Sequence, residues 1–204
     1  MAENMYPPVL RMGSGAIRVS AVGDSLTYGY GLEDRSLEAY PSILADLLGD
    51  HYQVANYGLA GRSLQASSDY PYFQEENGRQ SLEDDCDLVL IMLGTNDTRP
   101  PYWNARRFQR EYEDMIKRYQ TLPSQPDIFL LVPPFLPTDR YGLDNQVLKN
   151  EIRPMLYNIA SAYSLPLVDL YQITEGREDL YSDGLHLSVK GNRLIAETLY
   201  QSIC

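Results

Sequence analysis

A serine, an aspartate and a histidine occupy short segments in which they could act together in hydrolysis. Ser25 lies in Gly-Asp-Ser-Leu at 23–26, directly after an apolar run, while Asp183 and His186 lie in Asp-Gly-Leu-His near the C-terminus. The chain has only two histidines, and His51 falls in a polar loop, so a proton shuttle near neutral pH would use His186. Serine needs an adjacent base to become a nucleophile. Asp183 could hold the imidazole in one tautomer, which completes a candidate catalytic set.

Attack on an ester carbonyl creates an oxyanion, which fixed hydrogen-bond donors must stabilise. The candidates are the backbone N–H of Ser25, the N–H of Gly58 in a glycine-rich turn, and the side-chain amide of Asn96 in Gly-Thr-Asn-Asp at 94–97. Further residues near these segments are expected to contact the substrate, either beside the serine or as walls of an acyl pocket: Asp24, Trp103, and Pro134 and Phe135 of the proline-rich loop 133–137.

Five apolar runs are expected to form the strands that position these residues: 17–22, 52–57, 87–93, 127–132 and 166–171. Continuous rather than alternating apolar runs are typical of a parallel sheet covered on both faces. Segments of helical period separate the runs, at 39–48, 108–119, 148–159 and 194–203, and Pro154 is expected to kink or split the third of them. The order predicts a three-layer α/β/α sandwich with a five-stranded parallel sheet.

The candidate residues follow strands at the edge where such sheets carry their sites. Ligands of open α/β sheets bind outside the carboxyl ends of the strands. Polar clusters follow the first, second, third and fifth runs, at 23–26, 56–61, 94–97 and 183–186. We therefore expect the four clusters to converge on one edge of the sheet.

Composition narrows the class of protein. The 204 residues include 44% hydrophobic residues and carry a net charge of −11, so we expect a single domain over 1–204, with 1–15 as an irregular N-terminal extension. The negative charge argues against nucleic acid and membrane partners. Without a signal-peptide pattern the expected location is cytoplasmic. Two cysteines and two histidines, far apart in sequence, predict neither a metal site nor another cofactor. The oligomeric state is left open.

The four clusters, in this order, resemble the GDSL or SGNH hydrolase family over nearly the whole chain. They match its Gly-Asp-Ser-Leu block, its glycine turn at Gly58, its Gly-x-Asn-Asp block and its Asp-x-x-His block. The resemblance implies a flavodoxin-like α/β/α fold and an esterase or acylhydrolase activity. It also implies catalytic Ser25 and His186 assisted by Asp183, with an oxyanion hole from Ser25, Gly58 and Asn96. The pattern is more similar to single-domain bacterial esterases, including carbohydrate acetylesterases, than to the long plant lipases.

Several alternatives remain at this point. Each short motif alone could be a turn or a helix cap. Thr27 stands where the nucleophile elbow of α/β-hydrolases requires glycine, so that fold is disfavoured. The main hypothesis is a serine esterase acting on short-chain acyl esters, with O-acetyl groups of carbohydrates as the favoured small-molecule substrate. A short-chain lipase, a lysophospholipase or a thioesterase would use the same mechanism. A catalytically silent module that binds a glycan or a protein is the hypothesis from another class.

Overall fold

The computed structural model describes residues 15–204, so the proposed extension at 1–15 lies almost wholly outside the described residues. Each of the five apolar runs contains a strand: β1 Ile17–Gly23, β2 Tyr52–Asn56, β3 Leu88–Met92, β4 Asp127–Val132 and β5 Leu167–Asp169. The strands form one parallel sheet in the order β2-β1-β3-β4-β5. This is the strand order of flavodoxin-like doubly wound sheets, and it confirms the predicted five-stranded parallel sheet.

The last strand is shorter than the sequence predicts. The expected run of 166–171 ends as a strand at Asp169, whose carboxylate accepts the backbone N–H of Gln172 at 3.1 Å. An aspartate that accepts this bond is a helix N-cap. Leu170 and Tyr171 therefore begin a short helix and are buried as helix residues.

Nine α-helical segments connect or follow the strands within residues 15–204: α1 Ser25–Tyr28, α2 Arg35–Glu38, α3 Tyr40–Leu48, α4 Glu76–Glu83, α5 Ala105–Gln120, α6 Asn145–Val147, α7 Arg153–Tyr163, α8 Leu170–Thr174 and α9 Val189–Ile203. Near Pro154, where a kink or a split was expected, the helix is not interrupted but changes its hydrogen-bond pattern. A π-helical turn, Leu148–Ile152, precedes α7, and Pro154 lies in the first turn of α7. The N–H of Arg153 donates to the Leu148 carbonyl oxygen across the π-helical turn, whereas Pro154 has no N–H to donate. The segment 69–85 contains a short 3₁₀ turn, Tyr72–Gln74, and α4.

Buried side chains lie on both faces of the sheet, which confirms the three-layer architecture. Every residue of β3 is buried. Val89 and Ile91 pack into one core with α5 and α7, whereas Leu88, Leu90 and Met92 pack into the other with α3 and α9. Alternate residues of a strand point to opposite faces, so a continuous apolar strand serves both cores. The edge strand β2 is only partly buried.

The register of the sheet aligns the ends of its central strands. Ala21 pairs with Asn56 of β2, and Gly23 pairs with Met92 of β3. The chain therefore leaves β1, β2 and β3 at the same edge, so the clusters that contain Ser25, Gly58 and Asn96 follow neighbouring strand ends. The register of the parallel sheet thus brings the three predicted site residues to the same edge.

Candidate active site

Ser25 is the first residue of α1, the turn that directly follows β1. Asp24 caps this turn, because its Oδ1 accepts the N–H of Leu26 at 3.0 Å. Gly23 is required by close packing, since a Cβ there would lie 2.7 Å from the carbonyl oxygen of Met92. Ser25 is mostly buried, and within the described part of the chain its N–H donates to no protein group. The N–H is therefore available to a ligand.

Asp183 and His186 form a compact acid–base pair. The imidazole Nδ1 lies 2.8 Å from Asp183 Oδ2, while Asp183 Oδ1 accepts the backbone N–H groups of Leu185 and His186 at 3.0 and 2.7 Å. Burial acts to raise the pKa of Asp183, but these hydrogen bonds outweigh it and hold that pKa below its ordinary value. An ionised carboxylate at Nδ1 favours a proton on that nitrogen. Nε2 is then the basic nitrogen.

Tyr30 connects the serine turn to the histidine. Its backbone N–H donates to the carbonyl oxygen of Ser25 at 3.0 Å, and its ring centroid lies 4.4 Å from that of His186. These two contacts bring the imidazole beside the turn that carries Ser25. No hydrogen bond joins Ser25 Oγ to His186 in residues 15–204. Hydrogen bonds of this kind often tighten only when substrate is bound.

Asn96 lies at the end of β3, in a 3₁₀ turn with Asp97 and Thr98. Its Nδ2 donates to the carbonyl oxygen of Arg62 at 3.0 Å and to Asp24 Oδ2 at 3.4 Å. The longer of these bonds is weak and can be exchanged for a bond to a ligand. Asp24 is fully buried, and burial raises its pKa to about 6. Its bonds position the turn and Asn96, whereas its predicted contact with substrate stays a prediction.

Asp97 fixes the loop that follows β2 against the end of β3. Its two carboxylate oxygens accept the backbone N–H groups of Leu64 and Gln65 at 2.9 and 2.8 Å. The side chain is fully buried, and burial raises its pKa to about 6. The loop that faces Asn96 is therefore held rigidly by backbone bonds to a buried carboxylate.

The backbone N–H of Gly58, which was expected to stabilise an oxyanion, is bonded to a side chain of the protein. Its N–H donates to Asn56 Oδ1 at 2.9 Å, and Asn56 Nδ2 donates to the carbonyl oxygen of Thr27. A Cβ at position 58 would lie 2.2 Å from the backbone nitrogen of Tyr28, so glycine is needed for close approach of two backbones. A role for this N–H in an oxyanion hole stays a prediction, and it would require sharing the bond to Asn56.

Gly61, three residues further on, presents a free donor. Its φ is +76°, no atom lies within 4 Å of a Cβ built there, and its N–H donates to no group in the described chain. It precedes Arg62, whose carbonyl oxygen accepts from Asn96. Gly61 lies within the polar cluster 56–61 but was not among the expected oxyanion donors.

The predicted pocket walls have partners within the protein. Trp103 Nε1 donates to Glu151 at 2.9 Å, and its ring lies 5.3 Å from that of Phe108. Phe135 packs edge-on against Tyr171, and its N–H donates to Thr174 Oγ1. Pro134 is buried. Among the described residues no hydrogen bond or ring pair joins any of the three to Ser25 or His186, and their roles as walls stay predictions.

Two aromatic residues beside His186 were missed by the sequence analysis. Tyr30 follows the serine block in Gly-Tyr-Gly at 29–31, which could have signalled it, whereas Tyr141 stands far from every motif. The ring of Tyr141 lies 6.3 Å from that of His186. His51 is exposed in a turn, as expected.

Neither a metal-binding cluster nor a helix that could cross a membrane is found among the described residues. No three histidine, cysteine, aspartate or glutamate side chains in residues 15–204 are grouped so that they could hold a metal ion. Over the same residues, no helix has the length and apolar character needed to cross a bilayer.

The fold is a doubly wound parallel sheet with polar residues gathered at its strand ends, and comparison with known proteins defines the family. The model of the GDSL-like lipase/acylhydrolase family matches residues 21–194. The chain belongs to this family, a class of enzymes that hydrolyse carboxylic esters.

Individual relatives agree with this assignment. The chain is 32% identical over 209 residues to an acetylxylan esterase of Xylanibacter ruminicola, an alignment that covers 92% of the chain but only 43% of that relative. Among solved structures, the native aryl esterase of M. smegmatis superposes with a TM-score of 0.76 at 21% identity, covering 92% of this chain and 98% of its own. A carbohydrate acetylesterase from Sinorhizobium meliloti superposes with a TM-score of 0.74, with the same identity and coverage. These structures confirm the predicted SGNH hydrolase fold.

Proposed function

We propose that the protein is a serine esterase that removes short acyl groups, acetyl above all, through an acyl-enzyme on Ser25. The observation that carries this proposal is the Asp183–His186 pair, whose imidazole contacts Tyr30 beside the Ser25 turn. The geometry supplies a base with a defined tautomer next to a serine at a strand end. That is the arrangement a serine nucleophile requires.

The proposed reaction proceeds in two halves. His186 Nε2 takes the proton of Ser25 Oγ as that oxygen bonds to the ester carbonyl carbon, and the carbonyl oxygen becomes an oxyanion. The carbonyl re-forms as the bond to the alcohol oxygen breaks, and the imidazolium gives its proton to that oxygen. Water, deprotonated by the same imidazole, then releases the acid and regenerates Ser25. Asp183 stabilises the imidazolium in both halves.

The oxyanion donors are the Ser25 N–H, the Asn96 amide and one N–H of the turn 58–61. Gly58 was the predicted third donor, but its N–H is bonded to Asn56. The N–H of Gly61 is the alternative in this turn, because it would bind the oxyanion without exchange of an existing bond. A structure of a phosphonate adduct tests this choice, since true donors lie about 2.7–3.1 Å from the phosphoryl oxygen.

An acetylated carbohydrate is the substrate that the comparisons favour. The curated relative is called an acetylxylan esterase, and a structural neighbour is called a carbohydrate acetylesterase. The chain spans less than half of that curated relative. The substrate of the relative therefore does not by itself identify the substrate of this chain, and an acetylated carbohydrate is proposed here. The single-domain organisation over 1–204 and the cytoplasmic location likewise stay predictions.

Covalent labelling combined with turnover tests the proposal. Wild-type protein is expected to hydrolyse p-nitrophenyl acetate and to take up one equivalent of an organophosphonate on Ser25, identified by peptide mass spectrometry. Ser25→Ala is expected to fold normally and to lose nearly all turnover. Ser67→Ala, which changes an exposed serine, is the matched control. Labelling at another serine, or near-normal turnover by Ser25→Ala, would refute the assignment, and a wild type without esterase activity would favour the silent binding module.

A further inference from the structure

We propose that Tyr30 and Tyr141 bind the alcohol part of the ester and that this alcohol is a pyranose ring. The proposal rests on the esterase function proposed above. It concerns which residues select the leaving group, and it assigns a role to two exposed aromatic rings that the reaction steps do not use.

The chemistry decides which part of the ester lies beside His186. The alcohol oxygen must receive a proton from the imidazole as the acyl-enzyme forms, whereas the carbonyl oxygen points toward the oxyanion donors. Groups that flank the imidazole are therefore in reach of the alcohol rather than the acyl chain. The identity of those groups determines which alcohols bind well.

Two tyrosine rings flank the imidazole. The ring centroids of Tyr30 and Tyr141 lie 4.4 and 6.3 Å from that of His186 and are tilted from its plane by 39° and 55°. Both side chains keep about half of their surface exposed, 49% for Tyr30 and 57% for Tyr141. Large aromatic rings left this exposed next to a catalytic group offer a ready binding surface.

Tyr141 is held in place from two sides. Its φ of +63° is rare for a residue other than glycine and persists only where surrounding contacts maintain it. Arg99 Nε donates to the Tyr141 carbonyl oxygen at 3.0 Å, and the preceding Arg140 donates to the Asp183 carbonyl oxygen at 2.8 Å. The loop is thereby tied both to the segment after β3 and to the catalytic segment itself.

A pyranose fits these two rings better than an aliphatic alcohol does. The C–H faces of a sugar ring are apolar and meet the negative face of an aromatic ring favourably. Neither phenol hydroxyl makes a hydrogen bond to a group in residues 15–204, so both are free to bond to sugar hydroxyls. Among those residues, Leu37 and Val189 are the only large aliphatic side chains that are well exposed. The exposed side chains that flank His186 are thus aromatic rather than aliphatic.

Turnover of two acetate esters that differ only in the alcohol tests the proposal. The substrates are a mono-acetylated methyl pyranoside and ethyl acetate, and the variants are Tyr141→Ala and Tyr141→Phe. Tyr141→Ala is expected to lower kcat/KM about tenfold for the pyranoside, mainly through KM, because one ring contact contributes roughly that factor. Ethyl acetate should change less than about twofold, since the chemical step is untouched. Tyr141→Phe should keep most of the pyranoside activity.

Tyr30→Ala is expected to impair both esters, with the larger loss on the pyranoside, because the Tyr30 ring lies closer to His186 than that of Tyr141 does and Tyr30 also adjoins the Ser25 turn. Tyr200→Ala, which removes an exposed tyrosine of α9, is the matched control. Equal losses by Tyr141→Ala on both esters, or none on either, would overturn the proposal while leaving the esterase function intact.

Binding of the acetylated pyranoside can be measured without turnover, which tests the role of the rings independently of catalysis. Saturation-transfer NMR of the acetylated pyranoside with Ser25→Ala should show contact with the sugar protons. That contact should be lost when Tyr141→Ala is added. Persistence of the signal in the double variant would refute the role of the ring, and a wild type that hydrolyses neither ester would instead refute the proposed function.

Discussion

Asp183 holds both the ring and the backbone of His186. One carboxylate oxygen lies 2.8 Å from Nδ1, and the other accepts the N–H of the same residue at 2.7 Å. The two bonds together fix the position of the histidine and the direction in which Nε2 points. Asp183 therefore places a negative charge beside the imidazole, and its bonds to backbone N–H groups also stabilise the turn that carries His186.

Replacing Asp183 by asparagine is expected to reduce turnover strongly without unfolding the protein. The amide oxygen can still accept the backbone N–H groups, but an amide N–H facing Nδ1 would favour the tautomer with its proton on Nε2. That tautomer cannot accept the proton of Ser25, so kcat should fall on the order of a thousandfold or more. Steady-state kinetics with p-nitrophenyl acetate, with circular dichroism to check the fold, measure the effect.

The matched control for this change is Asp179→Asn, which breaks a surface ion pair with Lys190. Exposed pairs of this kind contribute little, so its turnover should stay near that of wild type. A modest loss for Asp183→Asn, similar to that of the control, would contradict the assigned role of Asp183.

Asn96→Ala is expected to lower kcat about a hundred- to a thousandfold with a smaller change in KM, because removing one fixed oxyanion donor has that cost. The comparison of kcat with KM is the essential measurement. A change confined to KM would place Asn96 in binding of the ground-state substrate. Asn158→Ala on α7, which changes an exposed asparagine, controls for loss of an amide elsewhere.

Acetyl esters are expected to be cleaved with higher kcat/KM than octanoyl esters. The sequence-based reason is a rigid pocket walled by Trp103 and by the loop with Pro134 and Phe135, where a longer chain clashes although it offers more apolar area. Trp103→Ala should relax the preference and leave acetate turnover largely intact. A p-nitrophenyl ester series of rising chain length measures this.

The control is Glu151→Gln, which alters the partner of the Trp103 indole but keeps the ring. It should leave the chain-length preference unchanged. A wild type that prefers eight carbons or more would favour a lipase, and rapid cleavage of acyl-CoA would favour a thioesterase. Either result would leave the serine mechanism standing.

The buried carboxyl of Asp24 should make stability fall as pH rises through mild acidity. Its pKa in the folded protein is about 6, above its ordinary 3.8, so the folded state binds more protons between these values. Stability from this group is then fully present below about pH 4 and lost as pH rises through 6. A difference of about two pKa units corresponds to roughly 3 kcal/mol.

Urea unfolding between pH 4 and pH 7.5 measures this dependence. Asp24→Asn should flatten it, because the amide does not titrate. Asp97, with its pKa also raised to about 6 by burial, should retain its own part of the slope in Asp24→Asn. An unaltered slope in Asp24→Asn would show that Asp24 does not titrate in this range.

The parts of the site that the sequence predicts are those built from local contacts or from strand order. Asp183 and His186 are three residues apart, so their pairing is visible in one short motif. Ser25, Gly58 and Asn96 follow apolar runs, and the parallel order of those runs brings them to one edge. The sheet and its two buried faces were predictable for the same reason, since the apolar pattern records burial directly.

The parts that the sequence does not predict depend on contacts between distant segments. Tyr141 lies 45 residues before His186, and the bonds from Arg99 and Arg140 tie its loop to the segment after β3 and to the catalytic segment. The bond from the Gly58 N–H to Asn56 is local. Position 58 requires glycine, however, because a Cβ there would overlap the backbone of Tyr28, which is distant in sequence. The strand at 167–169 is shorter than expected because Asp169 caps a helix. The apolar pattern of 166–171 does not indicate where the strand ends and the helix begins.

The turn that joins Asp183 to His186 also has a consequence for how the protein acquires its activity. Ser182 N–H donates to the His186 carbonyl oxygen, and Tyr181 pairs with Leu187, so the acid and base sit in a loop of a few residues that closes at little entropic cost. Ser25 lies more than 150 positions away in the chain and meets them only when the sheet is assembled. The proposed active site is therefore complete only when the turn after β1 and the turn at 183–186 have come together, whereas the Asp183–His186 contact needs only a local loop.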